Sequence, residues 1–196
     1  MRARNIVVNT IGVSVAFGFA GALFGYGVAS WQEAVGWLIG MFGFVWCTYT
    51  DIKVKLAPDR YLNLLLIAPL ITATLYLATS ENLLSGCVRG LFHLEATAMA
   101  AGAIWIFRMV FSAIFQKEAL GEADIFPCAM VGGLTGSGFA GILLFFLTPF
   151  IMLPIICWYC CRGKSPTLPL LPALFIATLI IIPLNAWIQQ NISLLN

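Results

Sequence analysis

Residues 31–59 read WQEAVGWLIGMFGFVWCTYTDIKVKLAPD. From 34 to 52 the run is apolar, and its single charge, Asp51, stands at its end. Crossing the hydrocarbon core of a bilayer takes roughly 20 such residues as a helix, so this stretch reads as a membrane span. Gly36, Gly40, Gly43 and Cys47 recur at helical spacing below Asp51. One face of the span is therefore a stripe of small residues headed by an acid, the pattern that lets two membrane helices approach closely.

The rest of the chain has the same character. Over 196 residues, 61 % are hydrophobic and 9 % charged, with ten Lys and Arg and eight Asp and Glu. Mean hydropathy is +0.98. A soluble domain carries about 25 % charged residues because its surface faces water, which excludes an ordinary soluble fold here. A net charge of +2 without a basic stretch also argues against nucleic acid as a partner. Seven apolar segments can be marked, at about 6–29, 34–52, 61–79, 92–115, 124–137, 138–160 and 168–190. The expectation is an all-α, polytopic membrane helix bundle of six to seven transmembrane helices, one integral membrane domain over 1–196 with the lipid bilayer as its surroundings. Arg2 and Arg4 before an apolar run resemble a signal peptide, but that run is long and its cleavage pattern poor, so it reads as a retained span.

Positive charge sets the expected orientation. With seven crossings, Arg2, Arg4, Lys53, Lys55, Arg60, Lys117, Arg162 and Lys164 collect on one side, against Arg89 alone on the other. The favoured topology has the N-terminus in the cytoplasm. Trp31, Trp37 and Trp158 stand near span ends, as an aromatic belt would. The sole histidine, His93, is expected at the outer interface. Cys157, Cys160 and Cys161 form one cluster without a second pair, so no metal site and no cofactor are expected.

Asp124 opens the fifth segment as Asp51 closes the second, and the opposite chain directions place both acids at the cytoplasmic face. Cys128, Gly132 and Gly136 follow Asp124 at helical spacing, a second small-residue stripe. Charges at such depth are costly and mark function by default, although an aspartate at a span end also fits the headgroup layer. Two carboxylates sharing one proton supply a base and an acid for attack of water on an amide.

Thr50-Asp51 followed by Pro58-Asp59, and Leu120-Gly121-Glu122-Ala123-Asp124 followed by Gly132 and Gly136, resemble the two signature motifs of the type IV prepilin peptidases. These are bacterial members of the GxGD membrane aspartyl proteases. Pro166-x-x-Pro169 is a weaker echo of a third family feature. Ala123 stands for the second glycine, Phe126 for a frequent lysine and Leu168 for a frequent glycine. The resemblance implies Asp51 and Asp124 as catalytic residues, with Gly121, Gly132, Gly136 and Pro58 as substrate or helix-packing positions. It implies a prepilin or pseudopilin substrate, cut after a glycine that ends a short basic leader, at the bacterial inner membrane. Longer family members carry a loop with paired Cys-x-x-Cys motifs, associated with N-methylation; only Ala29 to Glu33 separate the first two spans here, so cleavage without methylation is expected. An ion-coupled transporter using the same two acids is the competing reading, though the paired broken helices of such proteins are not evident. A Mg²⁺-dependent transferase would need more acidic ligands. Pro172-Ala173-Leu174 matches a motif of presenilin-type GxGD proteases by chance in a Leu/Pro/Ala-rich span, and Arg108 either counters an acid or snorkels to the inner face.

Overall fold

The computed structural model describes residues 2–26, 29–54, 57–116, 121–161 and 170–193; side chains are described for these except 2–8, 54, 115, 155, 156, 158–160 and 186–193. The chain is all-α, with seven helices among the described residues: α1 (Arg2–Gly25), α2 (Trp31–Val54), α3 (Asp59–Thr79), α4 (Leu83–Phe115), α5 (Ile125–Leu134), α6 (Gly138–Cys161) and α7 (Leu171–Ser193). Among the described residues three stretches, Trp31–Lys53, Asp59–Thr79 and Leu83–Ile114, are long and apolar enough to cross a membrane. Large apolar side chains face outward on most of the helices, among them Phe17, Leu70, Leu91, Ile106, Phe150 and Ile180. A soluble monomer rarely exposes such a surface. This is a multi-pass membrane protein.

Each helix packs on its neighbours in sequence, and α7 closes back onto α2. In the middle lies α5, which touches α2, α3, α4 and α6. Every residue from Pro127 to Leu134 is buried, as expected of a helix that is apolar all round. Ten residues rise about 15 Å, half of a hydrocarbon core of about 30 Å. The fifth segment is thus shorter than the 124–137 span expected from sequence, and Asp124 lies before it in a 3-10 turn, Glu122–Asp124.

Glycine explains how α5 stops and turns. Gly136 has φ +62°, a left-handed conformation that costs glycine nothing. The Ser137 N–H donates to the Gly132 carbonyl at 3.0 Å and the Gly136 N–H to the Gly133 carbonyl at 3.2 Å, the paired bonds of a Schellman cap. The chain reverses there into α6, which runs antiparallel to α5.

Some boundaries moved. α4 begins at Leu83, nine residues before the expected 92, with Asn82 as its N-cap, its side chain accepting the Leu84 N–H. Gly86 and Gly90 in that added part press on the Tyr76 and Ala73 carbonyls of α3. Trp37 is 2 % exposed and meets Phe19 edge-on at 5.6 Å. It belongs to the core, not to an aromatic belt; Trp31 is exposed, and the Trp158 side chain lies outside the described residues.

Candidate active site

The seam between α2 and α5 orients both acids. A Cβ on Gly36 would meet Thr72 and Leu134, and one on Gly40 would lie 2.5 Å from the Met130 sulfur. Position 36 therefore lies against 134 and 40 against 130, so the helices run antiparallel. Continuing the register brings the end of α2 and the start of α5 to the same end of the bundle. Asp51 and Asp124 both stand there. By that register Asp51 lies about a turn and a half of helix beyond Asp124. No hydrogen bond joins the two carboxylates among the described residues.

Each carboxylate is held by a backbone N–H. Asp51 is partly buried, and its Oδ2 accepts from the Leu171 N–H at 3.2 Å, at the first residue of α7. That contact was not foreseen from the sequence: it joins positions 120 apart. It also brings Pro172-Ala173-Leu174, in the first turn of α7, to the acid end. Asp124 is 8 % exposed. Its Oδ2 accepts from the Gly121 N–H at 3.1 Å, while its own N–H donates to the Gly121 carbonyl at 3.3 Å. The turn closes on itself. A Cβ on Gly121 would sit 3.3 Å from that same Oδ2, so a side chain there would crowd the carboxylate.

Asp124 lies outside the apolar helices, and burial pushes its carboxyl up to about 7, opposed by the Gly121 N–H bond. The charge of Asp51 raises it further, and that of Arg108 draws it down. Arg108 stands at this end too. Its Nη1 donates to Glu122 Oε1 at 3.0 Å, and its guanidinium lies 5.5 Å from the Trp105 ring centroid. Its direct partner is thus the exposed Glu122, as suits a head group that snorkels to this end, and it reaches Asp124 only through its charge.

The other sequence candidates separate by role. Pro58 is the residue before α3, its carbonyl accepting the Tyr61 and Leu62 N–H groups at 2.9 and 3.2 Å. Gly132 does not face α2. Its Cβ position meets the Ala96 carbonyl and the Ala100 methyl, so the α5 glycine stripe packs on α4. Gly136 serves the turn. Asp59 and Glu122 are exposed. Arg2, Arg4, Lys55, Lys117, Arg162, Lys164, Pro166, Leu168 and Pro169 lie outside the described residues or side chains. Among the described residues, no three His, Cys, Asp or Glu side chains gather where they could hold a metal.

His93 is not at an interface. It is 5 % exposed inside the bundle, at the end opposite the acids. No family model, curated protein or solved structure matches the chain.

Proposed function

We propose that this protein is a membrane aspartyl endopeptidase of the prepilin-peptidase type. It would remove short basic leaders from prepilins or pseudopilins at the cytoplasmic face of a bacterial inner membrane. The observation that carries this reading is the juxtaposition of Asp51 with a buried Asp124 whose carboxyl is pushed up to about 7. A general acid must still hold its proton near the working pH, and a base beside it must have lost one.

Asp124 is the proton donor in this mechanism. Asp51, less buried than Asp124 and accepting the Leu171 N–H, takes the part of the base. A substrate helix lies along the bundle with its leader in the cytoplasm. Asp51 takes a proton from water as the oxygen attacks the scissile carbonyl carbon, and Asp124 protonates the carbonyl oxygen. As the tetrahedral diol collapses, Asp124 takes back a hydroxyl proton, the C–N bond breaks, and the proton held by Asp51 passes to the leaving amine nitrogen. The turn and a half between the acids leaves room for water and peptide.

The test is cleavage of a prepilin-like peptide by detergent-solubilised protein, with and without EDTA. Cleavage after glycine that resists the chelator is the expected result; no cleavage overturns the reading. Incubation with prepilin and labelled S-adenosylmethionine should leave the new N-terminus unlabelled. Single cysteines at Lys53 and Gln116 should react only from the cytoplasm, and one at Ser85 only from outside.

A further inference from the structure

The geometry points to His93 as a positioning residue that clamps the far ends of the two acid-bearing helices, α2 and α5, and so fixes Asp124 relative to Asp51. The functional half of this inference rests on the reading above; the clamp itself does not.

His93 sits on α4, and its two ring nitrogens reach two different helices. Nδ1 lies 2.6 Å from the Gly133 carbonyl oxygen in the last turn of α5. A carbonyl only accepts, so Nδ1 is the donor. That carbonyl also accepts the Gly136 N–H of the cap, so His93 adds a second bond at the helix end, from a different helix. Nε2 lies 3.5 Å from Glu33 Oε1 in the first turn of α2. With Nδ1 donating to the Gly133 carbonyl, Nε2 faces the Glu33 carboxylate, and one ring bridges α5 and α2.

The surroundings fix this pair from every side. Glu33 Oε2 accepts the Ser30 N–H at 2.7 Å, and the Glu33 N–H donates to Ser30 Oγ at 3.3 Å. This is a capping box at the start of α2. From α3, the Tyr76 hydroxyl donates to Glu33 Oε1 at 3.0 Å, and its ring stacks on the imidazole at 5.1 Å. The Arg89 guanidinium of α4 stands 5.9 Å from the Tyr76 ring centroid. What faces His93 from α5 is the Gly133 carbonyl, with Gly136 beside the ring.

The consequence follows from the lengths of the two helices. Glu33 and Asp51 are about 27 Å apart along α2, and Gly133 and Asp124 about 14 Å apart along α5, at 1.5 Å per residue. On the α2 side Met130 and Leu134 fill the gaps left by Gly40 and Gly36, so packing sets the register that the His93 contact holds at the end of α5. His93 ties its free end to the frame. A shift of about 1 Å at a reacting group can cost 10²-fold in rate.

The experiment reads the clamp in two ways. In membranes, with the native cysteines replaced, Gly40→Cys and Met130→Cys should form a disulfide. A Cβ at 40 lies 3.2 Å from Met130 Cγ, inside the reach of such a bond. His93→Ala and His93→Gln are each expected to slow that cross-link several-fold. In the protein with its native cysteines, each should lower kcat about 10²-fold with KM little changed. Glu33→Gln should keep both near wild type, because its amide can donate to Nε2 of a neutral imidazole and hold the same approach. A wild-type cross-linking rate in His93→Gln overturns the clamp, as does a Glu33→Gln protein as impaired as His93→Ala. If the unmodified protein cleaves no peptide, the proposed function fails while the cross-link still decides the clamp.

Discussion

The two ends of the α2/α5 seam handle a buried carboxylate in opposite ways. At the end away from the aspartates Glu33 accepts the Ser30 N–H and the Tyr76 hydroxyl, with His93 Nε2 3.5 Å away. At the other end Asp51 and Asp124 each accept one backbone N–H among the described contacts and do not bond each other. A fully satisfied polar network in low dielectric rigidifies. A carboxylate with lone pairs to spare in such surroundings is costly, and costly groups collect where chemistry is done. The difference teaches which acids to test as reagents and which as fasteners.

The largest effect expected is at the acid end. Asp51→Asn and Asp124→Asn should each lower peptide cleavage about 10⁴-fold or to background, with the protein still inserted and monodisperse by size exclusion. The double variant should be little worse than either single one, since the two act as a unit. Robust cleavage by either single variant would erase the distinction between the ends.

Next comes the packing that both ends depend on. A Cβ on Gly141 would run into the Cys128 carbonyl, backbone that cannot rotate away. Gly141→Ala should therefore cost about 1–3 kcal/mol through overpacking, read as a lower melting temperature in detergent. Gly102→Ala, with nothing within 4 Å of its Cβ position, is the control and should not destabilise. Equal melting temperatures would mean that α6 is not close-packed on α5.

A smaller effect sharpens the acid end alone. Arg108 holds the Asp124 carboxyl down, so Arg108→Gln should raise it. With Asp124 as the protonated donor, activity falls as pH rises through about 7. The alkaline limb of the kcat/KM profile should then move to higher pH in Arg108→Gln. A shift to lower pH would mean that Asp124 is not the proton donor. The smallest effects are expected at the exposed flanks. Glu122→Gln breaks an ion pair whose acid is 71 % exposed, and such pairs contribute little; Asp59→Asn removes an exposed charge. Both should keep substantial cleavage.

Several of these features can be read directly from residues. The 34–52 run gave α2, and opposite chain directions put Asp51 and Asp124 at one end. Ser30-x-x-Glu33 is a capping-box pattern visible in the sequence, though it was not used to start α2 at Trp31. Other features depend on three-dimensional packing. The stripe of Cys128, Gly132 and Gly136 looked like a partner for the α2 glycines, yet small residues permit close approach without naming the neighbour. Gly132 went to α4 and Gly136 to a turn. His93 was placed outside because a lone polar residue near a span end reads that way. Only the short α5, ending at its level, draws it inward. Arg89, Gly86 and Gly90 hid the first nine residues of α4, because charge and glycine usually mark a loop.

Because α5 is sheathed by α2, α3, α4 and α6, its eight residues from Pro127 to Leu134 meet protein and not lipid. Bilayers of different thickness make exposed helices tilt or bend to match their apolar length. Such mismatch acts on the outward faces of helices like α4, where Leu91, Ile106 and Met109 are exposed. The helix that begins beside Asp124 does not feel it. The place of that carboxyl within the bundle is thus set by the protein's own packing and not by the length of the surrounding lipid tails.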